Sequence, residues 1–219
     1  MYKYAVFDLD GTLANTLEDL SNAVNYALKK NSFKTQNIDK FRQMVGSGIV
    51  NLIKMASNCE DEETVQKIKE DFYFYYNNHS TDCTREYNNG SKMLSELKKN
   101  NIEVAVLSNK PDIFVEKIIN TLFPNIKFKA MWGKKEEFPI KPDPASLNAM
   151  IKEFGAEKSE VVYIGDSNVD VYTAKNTGVD FIGCAWGFRG SEELKQAGAD
   201  IIAKDNIQLL NFILGVDYE

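Results

Sequence analysis

From Gly90 onward the chain alternates short apolar runs with helical patterns, and few folds accommodate that rhythm. A helix carrying Met93, Leu94 and Leu97 ends at the Asn100-Asn101 pair, and residues 102–107 read as a strand. Pro111 suits the first position of a helix running to about 122, and residues 127–131 read as a further strand. Residues 144–154 form a helix closed by Gly155, 161–164 a strand, and 168–176 a helix ended near Gly178. A strand at 181–185, a helix at 191–196, a strand at 200–203 and a helix at 207–214 complete the series. Alternation of this kind implies a mostly parallel sheet with helices on both faces.

One strand stands apart at the start. Tyr4, Ala5, Val6 and Phe7 read as a buried strand, and Asp8-Leu9-Asp10-Gly11 follows it. Residues 16–80 then lose the strand signal. Thr16 is a plausible N-cap for a helix to about 30 with Leu17, Leu20, Val24, Ala27 and Leu28 on one face. Asn37 caps a short helix, Gly46-Ser47-Gly48 interrupts, Ile49, Leu52, Ile53 and Ala56 resume helical spacing, and residues 60–76 form another helix. The expected fold is therefore α/β, a Rossmann-like doubly wound parallel-sheet core (residues 1–14 and 84–219) with an inserted α-helical cap domain (15–83). Two linkers, near 13–16 and 80–88, make a natural hinge.

The chain has 219 residues, enough for a proper core, with an ordinary 43% hydrophobic and 26% charged content. A net charge of −6 argues against nucleic acid or an anionic membrane as partner. A small anionic substrate stays open, because a local cation overrides the global sign. Cys59, Cys83 and Cys184 are widely spaced and form no CxxC pair, so reduced thiols in a cytoplasm are the expectation. The chain enters a strand within a few residues, so no secretory signal is expected, and no apolar run approaches the ~20 residues that span a bilayer.

The polar residues gather where strands end. Asp8 and Asp10 lie at a strand's carboxyl end, where open α/β sheets bind ligands. Such a pair can hold a hard divalent cation, attack phosphorus, or shuttle a proton. A solvated Asp/Gly turn has the same composition. Ser108 follows the second strand and suits either a phosphate ligand or a helix cap. Lys141, beside Pro142 and Pro144, can act as a point charge on a phosphoryl oxygen or stand solvated. Asp166 ends a strand as Asp8 does, while Asp170 sits in the next helix's first turn, where the helix dipole also favours it.

The stretches Phe7-Asp8-Leu9-Asp10-Gly11-Thr12-Leu13, Leu107-Ser108-Asn109-Lys110, Lys141-Pro142-Asp143-Pro144 and Gly165-Asp166-Ser167-Asn168-Val169-Asp170 resemble, in order, the four motifs of the haloacid dehalogenase-like superfamily of phosphatases. The resemblance covers the whole chain. Val45-Gly46-Ser47-Gly48-Ile49 with Leu52-Ile53, and Ala185-Trp186-Gly187-Phe188, are similar to segments of its phosphoglycolate phosphatase-like branch. The resemblance implies that Asp8 is a nucleophile forming an aspartyl-phosphate and that Asp10 is the general acid and base. It implies Mg²⁺ held by Asp8, the Asp10 backbone carbonyl and Asp166, with Asp170 in support. Ser108, Asn109 and Lys141 would hold the phosphoryl group.

The cap is expected to choose the substrate by closing over it. Ser47 and Gly48 are its candidate residues, with Arg42 or Lys54 as anchors for a second anion, although a solvated helix face is the commoner role for both. His79, the single histidine, reads as surface. The expected function is a cytoplasmic, Mg²⁺-dependent phosphatase, monomer or homodimer, acting on a small phosphorylated metabolite, phosphoglycolate-like or a sugar phosphate. A β-phosphoglucomutase-like sugar phosphomutase, a pyrophosphatase and a phosphate-sensing switch module are the alternatives.

Overall fold

The computed structural model describes residues 1–216. After β1 (Tyr4–Phe7) come a short β2 (Ala14–Asn15) and four helices: α1 (Leu17–Lys30), α2 (Ile38–Met44), α3 (Ile49–Ser57) and α4 (Glu62–His79). The chain returns through β3 (Arg85–Glu86) and α5 (Gly90–Lys99) to β4 (Glu103–Pro111), α6 (Asp112–Leu122), β5 (Ala130–Lys134) and α7 (Ala145–Phe154). It closes with β6 (Val161–Gly165), α8 (Asn168–Thr177), β7 (Asp180–Cys184), α9 (Gly190–Ala197), β8 (Ile202–Ala203) and α10 (Asn206–Leu214).

Six strands form one parallel sheet in the order β5-β4-β1-β6-β7-β8. Successive residues of a strand face opposite sides, and the two sides fill separate cores. Ala5, Phe7, Val104, Val106, Val162 and Ile164 pack under α5, α6 and α10. Val6, Ala105, Leu107, Val161 and Tyr163 pack under α7 and α8. Helices thus cover both faces, as the alternation predicts, and β1 lies centrally between β4 and β6.

The four inserted helices bury a core of their own, with Leu20, Val24, Phe41, Ile53, Ile68, Phe72 and Tyr76 among its members. Phe114 of α6 and Phe188 enter that core from the sheet side. Two ties hold the linkers. β2 pairs antiparallel with β3, Ala14 opposite Glu86 and Asn15 opposite Arg85, a ladder not foreseen from two-residue segments. The buried Asp19 carboxylate of α1 also accepts the Thr84 N–H at 2.8 Å, the Thr84 hydroxyl at 2.7 Å and the Cys83 N–H at 3.0 Å.

Several boundaries differ from the periodicity for local reasons. The helix expected from 60 begins at Glu62, because the Asp61 side chain accepts the Thr64 N–H and caps it. The strand expected at 127–131 is shifted to 130–134; Phe128 packs edge-on against Phe123 in the loop before it. The strand expected at 102–107 runs on to Pro111, which takes the N-cap position of α6. Among the described residues no helix is long and apolar enough to cross a membrane.

Candidate active site

Three adjacent strands deliver the site. Asp8 follows β1, Ser108 lies in the last part of β4, and Asp166 follows β6. Asp170 comes from the first turn of α8. One carboxylate oxygen from each of Asp8, Asp166 and Asp170 lies within 4.8 Å of the others, and all three residues are buried. Lys141 stands among them, its Nζ 3.0 Å from Asp8 Oδ1, 2.7 Å from Asp170 Oδ1 and donating to the Tyr163 hydroxyl at 2.8 Å. The approach to Asp8 is an ion pair without hydrogen-bond alignment, so Asp8 Oδ1 keeps an unmatched lone pair.

Asp170 does two jobs in this arrangement. Oδ1 balances Lys141, while Oδ2 accepts the Ser167 hydroxyl at 2.7 Å and closes the capping box of α8. Asp166 Oδ2 accepts the Phe188 N–H at 2.7 Å. Asp166 fits there because Gly11 and Gly187 carry no Cβ; a methyl group at either would collide with its carboxylate. Gly11 also has φ +88°, so the motif's glycine serves both the turn and the close approach.

Asp10 points elsewhere. Its Oδ1 receives the Thr16 hydroxyl at 2.6 Å, and Lys110 Nζ lies 2.9 and 3.1 Å from its two oxygens. That leaves its backbone carbonyl for the ligand role that the family resemblance implies. Thr16 does occupy the N-cap position of α1, but its hydroxyl serves Asp10 rather than the helix.

Burial raises the Asp8 carboxyl above its usual range, and Lys141 offsets this only in part against Asp170 and Asp10. Burial likewise pushes Asp166 well up, helped by Asp170 and Asp8. For Lys141, burial works against the charge, and Asp170 and Asp8 outweigh it, so the ammonium is held. With all three carboxylates ionised, the single ammonium would leave two negative charges unbalanced in a dry site. Oxygen-only donors, an unmatched Asp8 oxygen and that excess fit a hard divalent cation such as Mg²⁺.

A cavity with about 40 Å³ of free volume adjoins this cluster, bordered by Asp8, Asp10, Ser108, Asn109 and Lys110 on the sheet side. The inserted helices supply Leu20, Leu52, Phe72 and Tyr76, and the loop before α3 supplies Gly46 and Gly48. Ser47 is not on this wall; its carbonyl accepts from Asn51. Arg42 is half exposed and faces Asp39 at 3.7 Å, and Lys54 pairs with Glu60 at 2.8 Å. Neither is brought to the cavity, because both lie on solvated helix faces. His79 is half-exposed and stacks on Tyr75, at the surface as expected.

Two groups near the cluster carried no assigned role in the sequence. Lys110 was visible only as the last residue of Ser108-Asn109-Lys110, and nothing local signals its pairing with Asp10. Tyr163 reads as an ordinary strand residue, yet its buried hydroxyl, which donates to the Leu107 carbonyl at 3.2 Å, accepts from Lys141.

The chain is similar to known proteins in sequence and fold. A phosphoglycolate phosphatase of Haemophilus influenzae (strain 86-028NP) is 30% identical over 220 residues, covering 97% of this chain and 98% of that protein. The crystal structure of a predicted phosphoglycolate phosphatase from Haemophilus somnus superposes with a TM-score of 0.88 at 28% identity, covering 96% and 97% of the two chains. That of a predicted phosphatase from Clostridium acetobutylicum gives 0.88 at 26% identity, covering 99% and 100%. The family model described as haloacid dehalogenase-like hydrolase matches residues 5–184, a span running from β1 to β7 through every residue of the cluster, and the chain belongs to that family.

Proposed function

We propose that the protein is a Mg²⁺-dependent phosphatase that hydrolyses a small phosphomonoester through an aspartyl-phosphate on Asp8. The observation that carries this reading is the buried trio Asp8, Asp166 and Asp170 around Lys141, with Asp10 held separately on the cavity wall. Its support from relatives is that those of like length are named phosphoglycolate phosphatases.

Asp8 attacks phosphorus through a carboxylate oxygen, and the bond from phosphorus to the leaving alcohol breaks. Asp10 gives its proton to that alcohol oxygen. Water then attacks the phosphoryl group of Asp8, Asp10 takes the water's proton, and Asp8 leaves with inorganic phosphate as product. Asp8, the Asp10 backbone carbonyl and Asp166 would hold Mg²⁺, with Asp170 in support; the bound ion supplies charge neutralisation at the phosphoryl oxygens. Lys141 adds a second positive charge there and favours the ionised form of Asp8 against the burial that raises its carboxyl. Ser108 and Asn109 line the phosphoryl side of the cavity. Residues 15–83 act as the cap, moving on the linkers tied by β2, β3 and Asp19, and exclude water when closed. We further infer a reducing, cytoplasmic setting from three free cysteines.

The test is phosphate release from a panel of phosphate esters and pyrophosphate, with Mg²⁺ and with EDTA, for wild type and Asp8→Asn. Metal-dependent release that vanishes in Asp8→Asn supports the reading. No release from any ester overturns it, and conversion of a hexose 1-phosphate to its isomer without free phosphate replaces it with a mutase.

A further inference from the structure

Away from the catalytic cavity, a cleft with about 310 Å³ of free volume opens where the two linkers meet the sheet. Asn15 of β2 and Arg85 of β3 border it from the linkers. Lys204 and Asn206 border it from the turn between β8 and α10, and Tyr87 and Trp186 complete an aromatic wall. A cleft of this size suits a small-molecule ligand. None of these residues takes part in the phosphoryl chemistry.

The acids of the cleft are occupied and its cations are not. Glu86 Oε2 accepts the Ser91 N–H and hydroxyl, both at 2.7 Å. Asp205 Oδ1 accepts the Ile207 and Gln208 N–H groups at 3.0 and 2.8 Å. Among the described residues Lys204 pairs with no carboxylate; its backbone N–H alone is used, by Gln208 at 2.9 Å. Arg85 meets carbonyls instead of a carboxylate, those of Thr84 at 2.7 Å and Asp82 at 3.0 Å. Asn206 is 4% exposed and donates to the Asn88 carbonyl at 2.9 Å, while its Oδ1 receives no hydrogen bond among the described residues. A buried amide oxygen on a cleft wall is an acceptor that a ligand donor would satisfy. Tyr87 and Trp186 are half-buried, with ring centroids 6.2 Å apart, and the indole is fixed by donating to the Thr12 carbonyl at 3.1 Å. Such a pair offers a planar group a surface to lie on.

We propose that this cleft is a second ligand site, for a ring-bearing anion of the nucleoside monophosphate class, whose occupancy acts on the hinge. The ring lies on Tyr87 and Trp186, the anion takes Lys204 and Arg85, and an amino group on the ring takes Asn206 Oδ1. A sugar phosphate lacks the ring, and inorganic phosphate lacks both ring and donor. The wall is drawn from both linkers and from the sheet, so a ligand here pins the linkers. Trp186 reaches the catalytic loop through Thr12, and the next residue, Gly187, leaves the room in which the Asp166 carboxylate lies. A ligand that prefers one hinge position shifts turnover by its differential affinity for the two positions. The binding is independent of the phosphatase reading, and its effect on turnover rests on that reading.

Binding is measured by calorimetry in EDTA, so that no ester is hydrolysed, with AMP as probe and adenosine and inorganic phosphate as controls. Wild type is expected to bind AMP about tenfold more tightly than either control, since each carries only part of the recognition. Lys204→Glu, at an exposed position, should weaken AMP about tenfold with Tm unchanged, and Arg85→Gln should weaken it severalfold. For turnover the probe is adenosine 5′-sulfate, which offers no phosphoryl group. In Mg²⁺ it should change KM for the best ester of the panel about fivefold in wild type and leave it unchanged in Lys204→Glu. No binding of AMP at about 1 mM overturns the site. So does equal affinity in wild type and Lys204→Glu, since AMP would then lie elsewhere. Binding that meets these marks without any change in KM or kcat overturns the action on the hinge. If no ester is hydrolysed by wild type, the phosphatase reading falls by itself and the AMP titrations alone decide the site.

Discussion

The Asn109 side chain grips the Lys141 backbone at both ends, accepting its N–H at 2.8 Å and donating to its carbonyl at 3.0 Å. The same Nδ2 also donates to the Gly46 carbonyl at 2.9 Å, so one amide ties the lysine loop, β4 and the loop before α3. Asn109→Ala strands a buried N–H and a carbonyl. It should lower stability by about 2 kcal/mol, a Tm loss of roughly 4–8 °C for a chain of this size. With Lys141 displaced from Asp8, kcat/KM should fall about 100-fold. Thermal denaturation and steady-state kinetics check both; a lower Tm with wild-type kcat/KM would make Asn109 scaffold only.

The carboxylate cluster sets the sign of a pH effect. Burial lifts the folded-state values of Asp8 and Asp166 above the unfolded value of 3.8. Their contribution to stability is therefore complete below 3.8 and is lost as pH rises through the raised values. In EDTA this site should destabilise the protein increasingly from acid toward neutral pH. Mg²⁺ favours the ionised carboxylates, so the Tm gain on adding it should grow with pH. At a hundredfold excess over Kd the gain is about 2.7 kcal/mol, roughly 5–10 °C. Asp166→Asn should remove most of that gain. Scanning calorimetry at several pH values decides the matter, and a Mg²⁺ increment independent of pH would contradict this account.

Arg189 fastens the segment after β7 to the inserted helices. Its guanidinium donates to the Gln43 side chain at 2.6 Å and the Val45 carbonyl at 2.9 Å. The preceding residue, Phe188, packs in the helical core and donates its N–H to Asp166. Arg189→Ala should weaken the closed arrangement and raise KM about tenfold, with a smaller fall in kcat. Arg189→Lys should recover little, because an ammonium lacks the fork that reaches both acceptors. An unchanged KM in Arg189→Ala would show that these bonds do not hold the site closed.

Asp19 is buried in α1 with both oxygens committed to Cys83 and Thr84. Asp19→Ala leaves those N–H groups unsatisfied and frees the second linker from the first helix. The expected loss is about 2–3 kcal/mol in urea denaturation, with faster proteolytic cleavage near residues 80–88. Wild-type stability would mean that the β2–β3 ladder alone secures the linkers.

The legible part of the molecule was local. Alternation after Gly90 marked the strands of the sheet, and the insertion at 16–80 showed as a change of period. Asp8, Ser108 and Asp166 were findable because each stands at or near the end of an apolar run, and parallel strands bring such ends to one edge. Asp170 was findable from its place in a helix's first turn. The two-residue strands β2 and β3 were not, since a segment that short has no period to read.

What the sequence by itself determined is which elements form and which backbone positions meet at the sheet's edge, because periodicity, capping and turn preference act over a few residues. Only the tertiary structure decided what each side chain does there. Asp10 takes Lys110, a hundred positions away, and Asp170 is shared between Lys141 and its own helix cap. Gly48 borders the cavity while Ser47 and Arg42 stay outside it. The reason is physical: in a dry interior each charge must find a partner, and close packing of distant segments selects it.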